Sequence, residues 1–486
     1  MPSFGLIEKS LLYSMDITGF KKNSGRIPAK IVVVGDCLLD EYYQVKANRI
    51  SPEFPILAYR SNDFKPNAVV PGGAGNVALQ LKHFNADVKL VGILDGSSAD
   101  TYEKAGVDTR FTAYYGLADW TIPIKRRLYD GNYALCRWDI EMPNYGIDDI
   151  ESAREWLDER YQVACDKGCD VTIFSDYDKG VFSDENRHWR NLADLPCMTI
   201  VDPKKNTSLD RWKGCQIFKP NAEEARLLSG YEEWKRQCDF FQNRLGCQAV
   251  VITHGSEGVV GKLDGDYLQY EPLRKVKFES VVGAGDTFVA FLAMGLAKNM
   301  HLYEAIGLAF EAGAVYVQKH YNSPITPYEL QRHFNPERAK FVTREELAEI
   351  AQIDTLVMTN GVFDFCHVGH LQCLNYAKSL AGNGKLVVAV NTDESVKRLK
   401  GDGRPINSLA ERMEALAALE CVDYVCPFDE DTPLELIKQV MPAMLVKGND
   451  YQEEDVPGYG IVPIKIVPFP TIKTTTEIVE KIKRNL

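Results

Sequence analysis

Ser280-Val-Val-Gly283-Ala284-Gly285-Asp286-Thr287 is the stretch on which the reading of the first half of the chain turns. Three small residues precede an aspartate where a long apolar helical pattern begins, over 286–298. Small side chains let backbone N–H groups converge on an anion, and a helix N-terminus adds the positive end of its dipole. Gly283, Ala284 and Gly285 are therefore the expected anion hole. Asp286 is placed to take a proton from a hydroxyl that attacks a phosphate. A glycine-rich turn with Asp near a helix start also occurs without such a role, so this string alone leaves both readings open.

Working outward, two runs look like the first strand of an open α/β domain: KIVVVG at 30–35 and DTLVMTNG at 354–361. Their apolar residues are continuous rather than alternating, as in strands buried on both faces of a parallel sheet. Similar runs recur at 87–92, 171–175, 198–201, 249–253, 385–390 and 444–446, with helical patterns at 75–85, 221–230, 286–298, 368–381 and 409–420. Strand–helix alternation predicts an α/β fold with a doubly wound sheet in each half. The length of 486 residues exceeds the roughly 250–300 that one core usually spans, which also argues two domains. The charged segment with Pro327 and Pro336 puts the boundary near residue 340. The expected layout is an extension of unknown role over 1–27, a first domain over 28–335, a linker over 336–352 and a second domain over 353–486.

Further strings sharpen the first half. Val32-Val-Val-Gly-Asp36-Cys-Leu-Leu-Asp40 ends a strand, and Pro71-Gly72-Gly73-Ala74-Gly75-Asn76 opens a helix. Ser175-Asp-Tyr-Asp-Lys179-Gly180, Asp202-Pro-Lys204, Lys219-Pro-Asn221-Ala-Glu-Glu224 and Thr253-His-Gly255-Ser-Glu-Gly258 follow in order. Each alone could be a cap, a turn or a surface charge. Together they resemble the ribokinase-like carbohydrate kinases of the phosphofructokinase-B type. The resemblance implies that Asp36, Gly72, Gly73 and Asn76 bind sugar and that Asp286 is the base. It also implies that Asn221 and Glu224 help place magnesium and phosphate, and that Thr253 and Gly255 contact the nucleotide. Thr121-Ile-Pro-Ile-Lys-Arg126 lies by the expected sugar lid, which makes Arg126 a further sugar-binding candidate. Two departures from the family stand out: 96–108 leaves little room for the usual helix, and Ile124 stands where the nearest relatives carry Lys.

In the second half, Thr359-Asn-Gly361-Val-Phe363-Asp-Phe-Cys-His367-Val-Gly-His370 puts two histidines three apart where a helix should start. Two imidazoles on one helical face can donate hydrogen bonds to a phosphate whose charge rises in the transition state. A zinc pair is the rival reading; the spacing permits it, but no third ligand is suggested nearby. The string resembles the HxGH signature of the cytidylyltransferase-like superfamily. That resemblance implies that His367 and His370 are catalytic and that Thr359, Gly361 and Phe363 face the nucleotide. It adds Lys400 in a basic phosphate loop (397–405), Arg412 at the next helix start, Asp450 after a later strand, and Thr475 and Thr476 at a triphosphate-binding helix start.

The order of the two halves, with strings such as Arg49-Ile-Ser-Pro-Glu53 and Phe428-Asp-Glu-Asp-Thr-Pro433, resembles the bifunctional kinase/adenylyltransferase family of ADP-heptose synthesis. The resemblance covers about residues 28–486. It implies phosphorylation of D-glycero-D-manno-heptose 7-phosphate at O1, then adenylyl transfer from ATP to the 1-phosphate with release of pyrophosphate. It further implies Mg²⁺ with ATP, no metal held by protein ligands alone, and a homo-oligomer. Two alternatives stay open: another sugar kinase fused to a cytidylyltransferase, or one degenerate domain. A net charge of −12 argues against nucleic acid or an anionic membrane as partner. Twelve scattered cysteines and no apolar run of about 18 residues fit a cytoplasmic enzyme of small substrates.

Overall fold

The apolar runs become strands, and the chain divides into two units, Met1–Leu330 and Gln331–Leu486. The computed structural model describes residues 5–6, 20, 27–55, 57–60, 65–115, 121–131, 133–141, 147–166, 168–182, 192–276, 281–319, 321–334, 340–352, 354–401, 403–449 and 451–468.

The first unit rests on a nine-stranded sheet. Its parallel core runs in the order Ala249–Thr253, Ile217–Phe218, Met198–Asp202, Val171–Ser175, Ala29–Gly35, Ala86–Val91. Val33 and Val34 in the strand Ala29–Gly35 are fully buried, as the unbroken apolar run predicts. The chain leaves Ala29–Gly35 for Ala86–Val91 on one side and returns to Val171–Ser175 on the other. A crevice opens at such a reversal, beyond the carboxyl ends of the strands. The 1–27 extension contributes to this sheet: Gly5–Leu6 pairs in parallel with Leu268 and Gln269 at its edge. Phe20 is buried, and its carbonyl accepts from Asn85 N at 2.7 Å.

A second sheet of four strands, Tyr133–Ile140, Ile124–Asp130, Cys37–Gln44 and Ala68–Gly73, lies outside the expected elements. Three of its strands mix charged and aromatic residues, and the fourth, Ala68–Gly73, is a short run interrupted by Pro71. The expectation that no helix fits in 96–108 is corrected, because Gly96–Ala105 is a ten-residue helix. Asp95 accepts from Ser97 N and Ser98 N, Ser98 Oγ accepts from Asp95 N, and Gly106 at φ 87° stops the helix. Start and stop sit at its very ends, so no residue is spent on a loop.

The second unit carries a five-stranded sheet whose strands are all parallel, in the order Tyr424–Phe428, Lys385–Asn391, Leu356–Gly361, Met444–Lys447, Ile464–Ile466. The order again reverses at the first strand, so the crevice falls between Leu356–Gly361 and Met444–Lys447. Within the stretch expected as a linker, Arg344–Ile350 is a helix with Leu347 fully buried, and Phe341 bridges Val425. That stretch packs as part of the second unit. No helix among the described residues is long and apolar enough to cross a membrane.

Candidate functional site

In the first unit, the helix Ala284–Ala297 starts directly after Gly283, which sits at φ 82°. A side chain at Gly283 would come within 2.3 Å of Tyr316 OH and 2.8 Å of Asn76 Nδ2, so only glycine fits. Asp286 follows in the first helical turn and is buried. Asn76 Nδ2 donates to its Oδ2 at 2.7 Å, and Tyr177 OH donates to its Oδ1. Burial pushes the Asp286 carboxyl up to about 6, against the two hydrogen bonds, with Asp202 adding repulsion. A carboxyl in that range can take up a proton near neutrality.

Asp286 lines a cavity of about 220 Å³ together with Asp40, Gly73, Lys125, Arg127, Tyr177, Gly283 and others. Of the expected sugar residues, only Gly73 reaches its wall. Gly72 lets Asp40 approach: a Cβ there would lie 2.5 Å from Asp40 Oδ2. Asn76 serves the base rather than the cavity, with its own Oδ1 taken by Gln80 Nε2 at 2.9 Å.

Two of the expected sugar-binding residues, Asp36 and Arg126, lie away from the cavity wall. Asp36 turns away: its carboxylate accepts from the backbone N–H groups of Tyr177 at 2.8 Å, Lys179 at 3.2 Å and Val181 at 3.0 Å. It holds the loop that carries Tyr177 (its own carboxyl raised to about 6, first by burial and then by Asp176). Arg126 points to the opposite face of its strand, paired with Glu41 at 2.6 Å and lying over Trp138. Successive strand residues alternate between faces, so Lys125 and Arg127 take the cavity side. Period-two counting over Ile124–Asp130 would have found this. Arg127 pairs with Asp40, whose other oxygen accepts from Asn322 Nδ2 at 2.7 Å. Asp40 and Tyr177 stood in strings already singled out, but nothing local marks Asn322. Lys125 and Lys204 lie over the Tyr177 ring, 4.7 and 4.3 Å from its centre.

Of the expected anion hole, Ala284 N reaches back to Val281 O at 3.3 Å. Gly285 and Asp286 follow in the first turn, whose N–H groups have no partner inside a helix. Lys219 Nζ lies 3.7 Å from where a Cβ on Gly285 would stand. Burial opposes the charge on Lys219, but Asp202 at 2.7 Å outweighs it and raises the ammonium. Asn221 and Glu224 form a reciprocal helix cap: Glu224 N donates to Asn221 Oδ1 and Asn221 N to Glu224 Oε2, both at 2.9 Å. The cap takes up one carboxylate oxygen and leaves Oε1 facing Lys204 Nζ at 3.7 Å. Thr253 closes its strand, and Gly255, at φ 56°, turns the chain after it.

In the second unit, His367 caps the helix Val368–Ala381 and His370 sits in its first turn. Their rings stack with centroids 3.8 Å apart, and Phe363 lies 4.9 Å from His370. Phe363 holds φ 52°, beside Gly361, where a Cβ would meet the Phe363 ring at 3.1 Å. Burial pulls the His370 imidazole down to about 4, and the charges of His367 and Lys400 pull the same way. Burial lowers His367 too. Both rings are thus neutral before a ligand arrives, each with one N–H to donate. No group of three His, Cys, Asp or Glu that could hold a metal occurs among the described residues.

Arg412, at the next helix start, has its guanidinium engaged by the protein itself. It is 1% exposed, and its guanidinium is spent on Val362 O at 2.7 Å, Asp393 Oδ1 at 2.7 Å and Asn407 O at 3.1 Å. Thr359 is buried within its strand. Asp364 fixes the basic loop, accepting from Arg404 at 2.6 Å and from Ile406 N and Asn407 N at 2.9 Å. Two further residues, Lys447 and Asn360, face the crevice end of the sheet. Lys447 Nζ donates to Asn360 O at 3.1 Å, and Asn360 Oδ1 is buried with no partner among the described residues. Asp450, Thr475 and Thr476 lie outside the described residues.

Comparison with known proteins matches both halves. Residues 28–327 fit the pfkB family carbohydrate kinases, and residues 358–477 fit the cytidylyltransferase-like family. A protein of Aeromonas hydrophila named bifunctional protein HldE is 34% identical over 475 residues, 94% of this chain and 97% of its own. Its namesake from Nitrosococcus oceani is 34% identical over 477 residues, 94% of this chain and 98% of its own. The chain belongs to the bifunctional HldE family. It is therefore a carbohydrate kinase joined to a nucleotidyltransferase, as its two halves suggested. Phosphofructokinase-2 of Escherichia coli, in a crystal structure with potassium, matches 64% of this chain and 98% of its own at 18% identity and a TM-score of 0.50. That likeness shows a shared fold for the first unit of this HldE-family chain.

Proposed function

We propose that the first unit phosphorylates the anomeric hydroxyl of D-glycero-D-manno-heptose 7-phosphate with ATP, and that the second adenylylates heptose 1-phosphate. The observation that carries the kinase half is Asp286, a carboxyl pushed to about 6 in the wall of a cavity that Lys125, Arg127 and Arg137 also line. The cations suit a sugar that already bears a phosphate. Asp286 takes the hydroxyl proton as the sugar oxygen attacks the γ-phosphorus, the bond from that phosphorus to the β–γ bridging oxygen breaks, and ADP leaves. The N–H groups at the start of Ala284–Ala297 and the Lys219 ammonium face the charge that gathers on the moving phosphoryl group. Magnesium neutralises phosphate charge when it arrives with the nucleotide. Glu224 Oε1, which lies outside its helix cap, would be the oxygen offered to such an ion.

The second reaction needs no base, since a sugar phosphate is already an anionic nucleophile. Its oxygen attacks the α-phosphorus of ATP, the α–β bond breaks, and pyrophosphate leaves. His367 and His370 donate to the α-phosphate, with Lys400 and Lys447 adding positive charge. The near full-length match to relatives named bifunctional protein HldE supports these substrates. A homo-oligomer in the cytoplasm is part of the same reading, supported by exposed Tyr133 and Trp138 on an edge strand and by the free thiols. Incubating a panel of sugar phosphates with ATP or CTP, with mass spectrometry of products and a pyrophosphate assay, tests it. Turnover of a hexose phosphate in preference to heptose 7-phosphate, or CTP in preference to ATP, would refute the assignment.

A further inference from the structure

Outside both sites, three cysteines gather where two neighbouring strands of the nine-stranded sheet begin. Cys165 ends the helix Ile147–Cys165, Cys169 comes just before Val171–Ser175, and Cys197 just before Met198–Asp202. The strands pair in parallel with Val171 opposite Met198, so Cys169 and Cys197 enter the sheet side by side. Thr172 is fully buried between them, its Oγ1 3.1 Å from Cys197 Sγ and 3.5 Å from Cys169 Sγ. Tyr161 OH approaches Cys197 Sγ at 3.9 Å. All three cysteines are free thiols.

A cavity of about 530 Å³ opens at this point, and both Cys169 and Cys197 line it. Hydrogen bonds from Cys165 and Cys169 hold the Cys197 thiol well below the usual cysteine range, while the same contacts raise Cys169. A thiolate attacks, and a neighbouring protonated thiol can then resolve the product. Cys215 and Cys238 are also buried, but neither borders the cavity.

We propose that Cys197 is a peroxide-reactive thiolate and that Cys169 closes a disulfide with it. First, the Cys197 sulfur attacks one oxygen of a hydroperoxide. An S–O bond forms, the O–O bond breaks, and the leaving alkoxide or hydroxide takes a proton, leaving a sulfenic acid. Next, the Cys169 sulfur gives up its proton and attacks the Cys197 sulfur. The S–S bond forms, the S–O bond breaks, and the departing hydroxide leaves as water with that proton. Two thiols lose two electrons in all, and the peroxide gains them. Cys197 is 7% exposed, so an oxidant of this small size, entering by the cavity, is the class that reaches it. The disulfide would tie the starts of two strands whose far ends lead to Tyr177 and Asp202, on the kinase side of the sheet.

The test treats the full chain with hydrogen peroxide, alkylates remaining thiols with iodoacetamide and maps non-reduced peptides by mass spectrometry. A Cys169–Cys197 peptide lighter by two hydrogens is expected, with two fewer alkylated thiols and full recovery on reduction. In Cys169→Ser, checked by circular dichroism for native folding, dimedone should label Cys197 instead. The proposal is overturned if neither protein shows the cross-link or the dimedone adduct. It is equally overturned if Cys165 replaces Cys169 in the link, or if Cys215 and Cys238 oxidise as fast as Cys197.

Discussion

At Asp286, burial and hydrogen bonding pull in opposite directions, and burial wins, leaving the carboxyl at about 6. The base must be ionised to act, so kinase rate should fall as pH drops through about 6. Tyr177 donates to Asp286 and holds its value down. Tyr177→Phe should therefore move the acid limb of the kcat/KM profile to higher pH, and an unmoved limb would refute the coupling. Asp286→Asn should cut kinase turnover by about 10²–10⁴-fold, read as ADP release. His370→Ala should cut pyrophosphate release by about 10²–10³-fold. His370 adds a stability signature as well. Its folded value of about 4 lies below the ordinary imidazole value of 6.5, so the unfolded chain binds more protons between the two. Its stabilising contribution is full above about 6.5 and fades as pH falls toward 4. The melting temperature of the second unit should drop over that window, and His370→Ala should flatten the drop. Arg126 and Arg412 show what motif position leaves out at this scale. Both stand in strings expected near a ligand, but which face a strand residue takes, and how many protein acceptors a guanidinium meets, emerge only from packing.

Among elements, the buried parallel strands were legible because burial on both faces forces an unbroken apolar run. Ala249–Thr253 and Val171–Ser175 lie where that pattern put them. The four-stranded sheet was not legible, because it lays one face over a polar cavity and its sequence mixes Arg, Asp and Tyr. The helix Gly96–Ala105 was missed for a different reason: its cap and stop occupy the residues at its ends, so a tight connection hid it. Asp95→Ala removes that cap and also the acceptor for Ile122 N at 3.0 Å. A cost of about 1–2 kcal/mol is expected for the cap, measured by urea unfolding. Gly283→Ala should cost kinase activity and stability together, because its Cβ would strike Tyr316 OH and Asn76 on a backbone held at φ 82°. A variant with unchanged kinetics and melting temperature would contradict the assigned role of that turn.

For the whole molecule, each unit carries its own reversal of strand order and its own phosphate-facing helix start. The two activities should therefore be separable. Asp286→Asn should retain adenylyl transfer and His370→Ala should retain phosphorylation. Equal amounts of the two variants, supplied with a phosphatase for the 7-phosphate, should together make ADP-heptose, as seen by mass spectrometry. Loss of both activities in either folded variant would refute independence. The division of the chain was visible in its length and in two first-strand signatures. The place of Gly5–Leu6 at the sheet edge was not, since two residues carry no periodicity.

The bond from Asn322 to Asp40 joins positions far apart in the sequence, and Asn322 also receives Tyr42 and Tyr316. During synthesis on the ribosome, the nascent chain exposes Asp40 early but must wait for Asn322. Fragments that end between Asp286 and Asn322 have the base and no finished cleft. A translation product of this enzyme interrupted there should consume no ATP.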